Sequence, residues 1–263
     1  INKGHGALVE GPDGKWYIIY HGVLRNRYNQ ARMPLMEPIE WTEDGWYRIP
    51  DWSSPAKPLP IPQGGVAVTH GYPTAIQFPE KNPLPGEWIY HGTTRQRSEN
   101  IAQGLKVKGT GTSFHDCDGA IAYRGLYKDF QVTIHATVGN GTGAGIGMFF
   151  TQKHSVGFAL KDGFVWPYNC GHHNLTRYYN AKSYLWDEIW MRMTVCHQVV
   201  SGWISSDGVH WEKMINSFNI FHVDCQGGFF PGDRMVMHPA LFTFGTGEAV
   251  YHSFQIEELH PDD

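Results

Sequence analysis

An all-β fold of short antiparallel strands is predicted by three observations. Aromatic residues make up 14% of the 263-residue chain, including 10 Trp and 13 Tyr. Turn formers abound, with 31 Gly and 16 Pro, while charged residues reach only 17%. Apolar and polar residues alternate in segment after segment, and no segment holds a 3.6-residue period over three turns. Aromatic side chains fit a pleated, half-buried surface. Frequent turns divide such strands into a sandwich or barrel. The same aromatic content suits sugar binding, because pyranose rings stack on aromatic faces. Strand filling accounts for it equally well.

Charge and hydropathy exclude some classes. The net charge is −4, so neither a basic nucleic-acid surface nor an acidic tail is expected. No stretch of 18 apolar residues exists, so no membrane span is expected. Ile1 is not an initiator residue, and the lack of a signal peptide leaves extracellular, periplasmic and cytoplasmic locations open.

Residues 1–49 read as two hairpins. Ala7-Leu8-Val9 runs into Gly11-Pro12-Asp13-Gly14, whose Pro and Gly-flanked Asp are turn chemistry, and Trp16 to Tyr20 is the returning strand. Arg32 to Ile39, the Thr42-Glu43-Asp44-Gly45 turn and Trp46 to Ile49 form the second pair. Residues 50–86 hold nine of the sixteen prolines. Proline donates no backbone hydrogen bond, so this stretch cannot be a central strand and reads as an extended connector. Residues 87–263 return to strands. "FQVTIHATV" places Phe130, Val132, Ile134, Ala136 and Val138 on one face, and Gln131, Thr133, His135 and Thr137 on the other. "GIGMFFTQ", "SVGFALKDG", "EIWMRMTVC", "VVSGWISSDGVHW" and "AVYHSFQIEEL" continue the pattern, with Ser205-Ser206-Asp207-Gly208 as a hairpin turn. This part is a predicted antiparallel β-sandwich, long enough to bury a core without disulfides.

Candidate chemistry is sparse. The cysteines Cys117, Cys170, Cys196 and Cys225 form no CxxC pair and allow two disulfides in three pairings, or none; buried free thiols are the simpler reading. Among the 15 His, His172-His173 beside Cys170, His115-Asp116-Cys117-Asp118, and His222 with Asp224 and Cys225 are local clusters. None has the paired short spacing of a zinc site, so surface or hydrogen-bonded histidines are expected. No nucleophile elbow, phosphate loop or dinucleotide fingerprint occurs. Glu37, Glu40, Glu43, Asp44, Asp116, Asp118, Asp187 and Glu188 could pair for sugar hydrolysis, which needs two carboxyls. None carries a companion motif, and a solvated surface is the expected home of each.

"GHGALVEGPDGKWYIIYHG" and "ARMPLMEPIEWTEDGWY", spanning residues 4 to 47, resemble the last part of the catalytic propeller of glycoside hydrolase family 43. The likeness rests on Gly4-His5-Gly6 before a strand, on the "PDGKWYIIYH" hairpin, and on Arg32 followed by "EPIEWTEDGW". "DFQVTIHATV", "VGFALKDG", "WMRMTVCHQVVSGWISSDGVHW" and "GGFFPGDRMVM" resemble the β-sandwich that follows the propeller in xyloside-cleaving members. The resemblance implies an all-β architecture: the last blade of a five-bladed propeller in 1–49, a connector in 50–86 and a concanavalin-like antiparallel sandwich in 87–263. It implies an inverting hydrolase of plant-wall xylosides or arabinosides. By the same resemblance, His5 lies on the propeller floor and faces a calcium ion or water cluster, directly or indirectly. Arg32 reaches into the substrate pocket, where a guanidinium would hold sugar hydroxyls. Phe229 and Phe230 match a sandwich loop that closes over the pocket, though both also suit an ordinary inter-sheet core.

The family's general acid, its general base and the Asp that tunes the acid belong to earlier blades. The resemblance therefore implies a carboxyl-terminal part of a longer enzyme, catalytically incomplete alone and completed by an amino-terminal propeller part that is a separate chain or a lost segment. The alternative is a non-catalytic carbohydrate-binding sandwich. An exposed row of Trp166, Tyr168, Tyr178 and Tyr179 would favour it. Either way the partner is a plant cell-wall oligosaccharide or polysaccharide, with neither nucleic acid nor membrane expected.

Overall fold

The structure, a computed structural model, describes residues 2–23, 33–54, 59–60, 62–64, 75–78, 88–124, 129–152, 154–171, 174–177, 181–197, 199–214, 217–219 and 237–259. The described residues up to 64 form one compact unit and those from 75 onward another. Every regular element among them is a strand, as the composition predicts.

In the first unit, β1 (Asn2–Glu10), β2 (Trp16–Val23), β3 (Met33–Trp41) and β4 (Tyr47–Arg48) make one antiparallel meander in sequence order. The two predicted turns close it. Gly11 accepts from Gly14 at 3.0 Å and donates to the Lys15 carbonyl at 2.7 Å, while Thr42 does the same with Gly45 and Trp46. Gly14 and Gly45 take φ of 74° and 85°, the left-handed region a glycine enters at little cost. Period two sends Ile18, Tyr20 and Ile39 to one buried face, with Trp16, Leu35 and Ile49 packed against them.

The second unit is a two-sheet sandwich. Its strands in chain order are β5 (Ala75–Gln77), β6 (Trp88–Tyr90), β7 (Ser98–Ile101), β8 (Gly104–Lys108), β9 (Ile121–Tyr123), β10 (Phe130–Val138), β11 (Thr142–Thr151) and β12 (His154–Lys161). They continue with β13 (Phe164–Gly171), β14 (Asn174–Arg177), β15 (Lys182–Ser183), β16 (Glu188–Cys196), β17 (Val199–Ser205), β18 (Glu212–Lys213), β19 (Phe218–Asn219), β20 (His238–Gly245) and β21 (Glu248–Glu258). One sheet runs β18-β17-β16-β10-β21-β8-β7, with β19 against β17 and β5 against β21. The other runs β14-β13-β12-β11-β20-β9-β6, with β15 against β13.

The core between the sheets follows from alternation. On β10 the buried and half-buried residues alternate without a break from Phe130 to Val138. Val132 and Ile134 of β10, Met191 and Met193 of β16 and Phe254 of β21 meet Ile146 of β11, Phe158 of β12 and Leu241 of β20. One side of such a sheet faces the core and the other is free to be polar.

The second sheet is apolar on its outer side as well. Phe149, Ala159, Tyr168, Cys170, Phe242 and Phe244 are covered there by Phe114, Cys117 and Ala120. Phe114 is fully buried, edge-on to Phe242 at 4.1 Å, Tyr168 at 4.7 Å and Phe244 at 5.6 Å between ring centroids. Burying one such side chain is worth about 1.5–3 kcal/mol, so this loop is a third layer. Asp116 locks its shape. Its carboxylate accepts from the Thr112 and Ser113 amides at 2.7–3.0 Å and from both their hydroxyls at 2.8 and 2.9 Å.

Candidate functional site

The Gly4-His5-Gly6 stretch forms an irregularity in β1. Gly4 pairs with His21 and Ala7 with Ile19, so β1 carries one extra residue between them. His5 adopts φ 49°, an uncommon conformation for any residue but glycine and one concentrated at functional positions. The flanking glycines have a steric reason. A Cβ on Gly6 would lie 2.8 Å from the Ile18 side chain, and one on Gly4 would lie 3.1 Å from Nε2 of His21. The bulge turns His5 outward: it is exposed, with its ring 5.2 Å from that of His21 and tilted 32°.

Calcium takes about six to eight oxygen ligands, whereas His5 is joined here by a second imidazole. Among the described residues His5 belongs to no converging group of three His, Cys, Asp or Glu.

Glu37 departs from its expected solvated surface. It shares a strand face with Leu35 and Ile39, and only 1% of it is exposed. A carboxylate at such a position must be hydrogen-bonded. The Tyr20 hydroxyl donates a short bond to its Oε2, and the Ser53 hydroxyl donates to Oε1 at 3.4 Å. Glu37 is thus a structural hub of the meander. Glu40 is taken up by Arg48, whose Nη2 lies at 3.0 Å. Asp44 is a turn residue that accepts from the Thr42 hydroxyl.

Sequence reasoning did not single out a cleft of about 550 Å³ within the first unit. Trp16, Trp41 and Trp52 line it with Pro38, Pro50, Pro60 and Pro62, and Asp13, Glu40 and Gln63 supply polar groups. Trp41 and Trp52 are 48% and 56% exposed, and Trp41 meets Trp16 edge-on at 5.5 Å. The signal for it was a proline-rich stretch following a tryptophan-rich hairpin. Flat aromatic walls with a few polar groups suit a ligand with both apolar and hydroxyl-bearing faces.

The remaining sequence candidates separate clearly. Arg32, Phe229 and Phe230 lie outside the described residues, as do His172-His173, His222, Asp224, Cys225, Tyr178 and Tyr179. The row of exposed aromatics is not formed by its two described members. Tyr168 is buried, and Trp166 packs against the same outer layer. The reason is the Phe114 loop, which covers the face that alternation alone would leave open. His115-Asp116-Cys117-Asp118 belongs to that loop, with Asp118 held by Thr93 at 2.6 Å. Cys117 and Cys170 are buried free thiols. Burial pushes Cys117 up to about 12 and Cys170 up to about 11, so neither is a ready nucleophile.

Comparison with known proteins bears out the resemblance. Residues 1–47 match the sequence model of glycosyl hydrolases family 43. The fold matches the GH43 protein BlXynB from Bacillus licheniformis, with a TM-score of 0.80 and 16% identity over 98% of this chain and 53% of that one. It also matches a xylan β-1,4-xylosidase from Bacillus halodurans C-125, with a TM-score of 0.76 and 17% identity over 97% of this chain and 53% of that one. A bifunctional GH43-CE protein of Bacteroides eggerthii matches with a TM-score of 0.75 and 19% identity, over 99% and 35% of the two chains. The chain thus has the fold of the carboxyl-terminal portion of such enzymes and spans about half the length of the first two.

Proposed function

We propose that this chain is the carboxyl-terminal part of a family 43-like glycoside hydrolase acting on plant-wall xylosides or arabinosides. The observation that carries the reading is the match of residues 1–47 to the family, joined to the bulge that holds His5 out of its strand. In this reading the four-stranded meander is a propeller's last blade. Its open edges would be covered by the amino-terminal propeller part, as unpaired strand edges require.

Inverting hydrolysis needs an acid to protonate the leaving oxygen and a base to activate water on the opposite face of the sugar. Both are assigned to the amino-terminal part. His5 would shape the pocket floor, and Arg32 would hold sugar hydroxyls and favour the ionised form of a neighbouring carboxylate. Phe229 and Phe230 would close the pocket from the sandwich side. The chain's own task is then to bind and orient substrate.

The test is hydrolysis of nitrophenyl β-xyloside and α-L-arabinofuranoside. The chain alone is expected to be inactive. The chain joined to an amino-terminal propeller part is expected to turn over, and His5→Ala in that enzyme to reduce turnover. Robust hydrolysis by the 263 residues alone would overturn the assignment of acid and base.

A second reading, carbohydrate binding without catalysis, draws on the cleft of Trp16, Trp41 and Trp52. Saturable binding of xylo-oligosaccharide that is lost in Trp41→Ala, with no activity in the joined enzyme, would favour it.

A further inference from the structure

The outer face of the nine-stranded sheet brings together three side chains that the sequence holds far apart. His135 stands on β10, the strand between β16 and β21. Trp190 of β16 is its direct neighbour and Glu188 faces Thr137, so both share the outer face with His135. His252 reaches that face through a bulge. Ser253 pairs with His135 and Tyr251 with Ala136, which leaves His252 as the extra residue on β21. The burial pattern of β21 records it: Tyr251 and Phe254 point inward and two successive residues between them do not. Bulges re-aim side chains in this way.

The result is ordered. The His135 ring stacks on Trp190 at 3.8 Å and 5°, which fixes its plane. Its Nε2 lies 2.7 Å from Oε1 of Glu188. The His252 ring is 4.5 Å from that of His135. Nδ1 of His252 lies 2.7 Å from the Gln103 carbonyl oxygen. A carbonyl only accepts, so Nδ1 carries the proton and Nε2 keeps the lone pair. The Thr137 hydroxyl, 2.8 Å from Nε2, then donates to it. An imidazole whose proton is held by a backbone carbonyl is the arrangement that presents a metal-ligating nitrogen.

We propose that His135, Glu188 and His252 form a binding site for a divalent transition metal, with zinc as the best-suited ion. One donor atom from each lies within 4.8 Å of the others. In a tetrahedron with bonds of about 2.0–2.1 Å, donors stand roughly 3.3 Å apart. Glu188 is 55% exposed at its side chain and can swing by the small amount required. Two imidazoles and a carboxylate suit zinc and leave a fourth position to water. Three strands anchor the ligands, so the ion would clamp the centre of the sheet.

The test uses the whole chain, stripped with EDTA and titrated calorimetrically with zinc chloride. Cobalt(II) absorption then reports the coordination. One saturable site per chain with a micromolar or lower Kd is expected, with four-coordinate cobalt bands. His252→Ala and Glu188→Gln should each weaken zinc at least tenfold. Glu188→Gln alters an exposed carboxylate and so keeps the readout available should His252→Ala misfold. The absence of a saturable site overturns the proposal, and so does zinc binding that is unchanged in Glu188→Gln.

Discussion

Gly202→Ala is a one-atom test of how the two sheets interlock. Gly202 lies on β17, and a Cβ built there falls 2.5–2.8 Å from three ring carbons of Phe158 on the opposite sheet. Ordinary contact begins near 3.4 Å, so the ring must retreat by close to an ångström. It has little room. Phe158 is 2% exposed, and its backbone is paired with Ile146 on one side and Pro167 on the other. Overpacking of this kind costs about 1–3 kcal/mol. Lower chain entropy in the unfolded state returns about 0.4–1 kcal/mol. A net loss of about 1–2 kcal/mol follows, or roughly 2–8 °C in Tm at about 2–4 °C per kcal/mol. Urea unfolding followed by tryptophan emission should show a lower midpoint with an unchanged slope. Phe158→Leu shortens the ring, and in that background the alanine should cost measurably less. Wild-type stability in Gly202→Ala, or an equal penalty with Leu at 158, would refute the interlock.

Three further outcomes are expected. Burial, with His91 and Arg124 adding to it, lowers His238 from 6.5 to about 4. The folded state therefore binds fewer protons, so the stability tied to His238 is present above pH 6.5 and lost as pH falls from there toward 4. After allowance for solvent screening the loss is about 1–3 kcal/mol. Urea midpoints between pH 7 and 4.5 should show it, with a shallower slope in His238→Gln. Asp116→Ala strands the Thr112 and Ser113 amides and should cost about 1–3 kcal/mol, with early hydrogen exchange at residues 112 to 118. Tyr251→Phe removes a buried hydroxyl that donates to the Phe242 carbonyl and meets Thr243 at 2.9 Å. A loss of about 1–3 kcal/mol in the urea midpoint is expected.

Local chemistry made much of the molecule legible. Period-two runs located β10, β16 and β21, and glycine-bearing turns located the hairpins. Gly4-His5-Gly6 marked a special place in β1, and it is a bulge with a left-handed histidine. Glu37 was not legible, because nothing in "MEPIEW" says whether its carboxylate meets water or the Tyr20 hydroxyl. The metal candidate escaped for a related reason. Zinc motifs are read as short spacings, whereas His135, Glu188 and His252 come from three strands and meet only through register.

The sequence by itself determined the strand pattern, the turns and the family likeness, because alternation, proline placement and glycine conformations act over a few residues. The tertiary structure alone decided which outer face is apolar, where Tyr168 goes and which histidines converge. The physical reason is that strand pairing is non-local. One extra residue in β21 moves His252 beside His135, and one loop around Phe114 turns an exposed sheet face into a third layer. Neither the register nor the loop's resting place is encoded in the residues they rearrange.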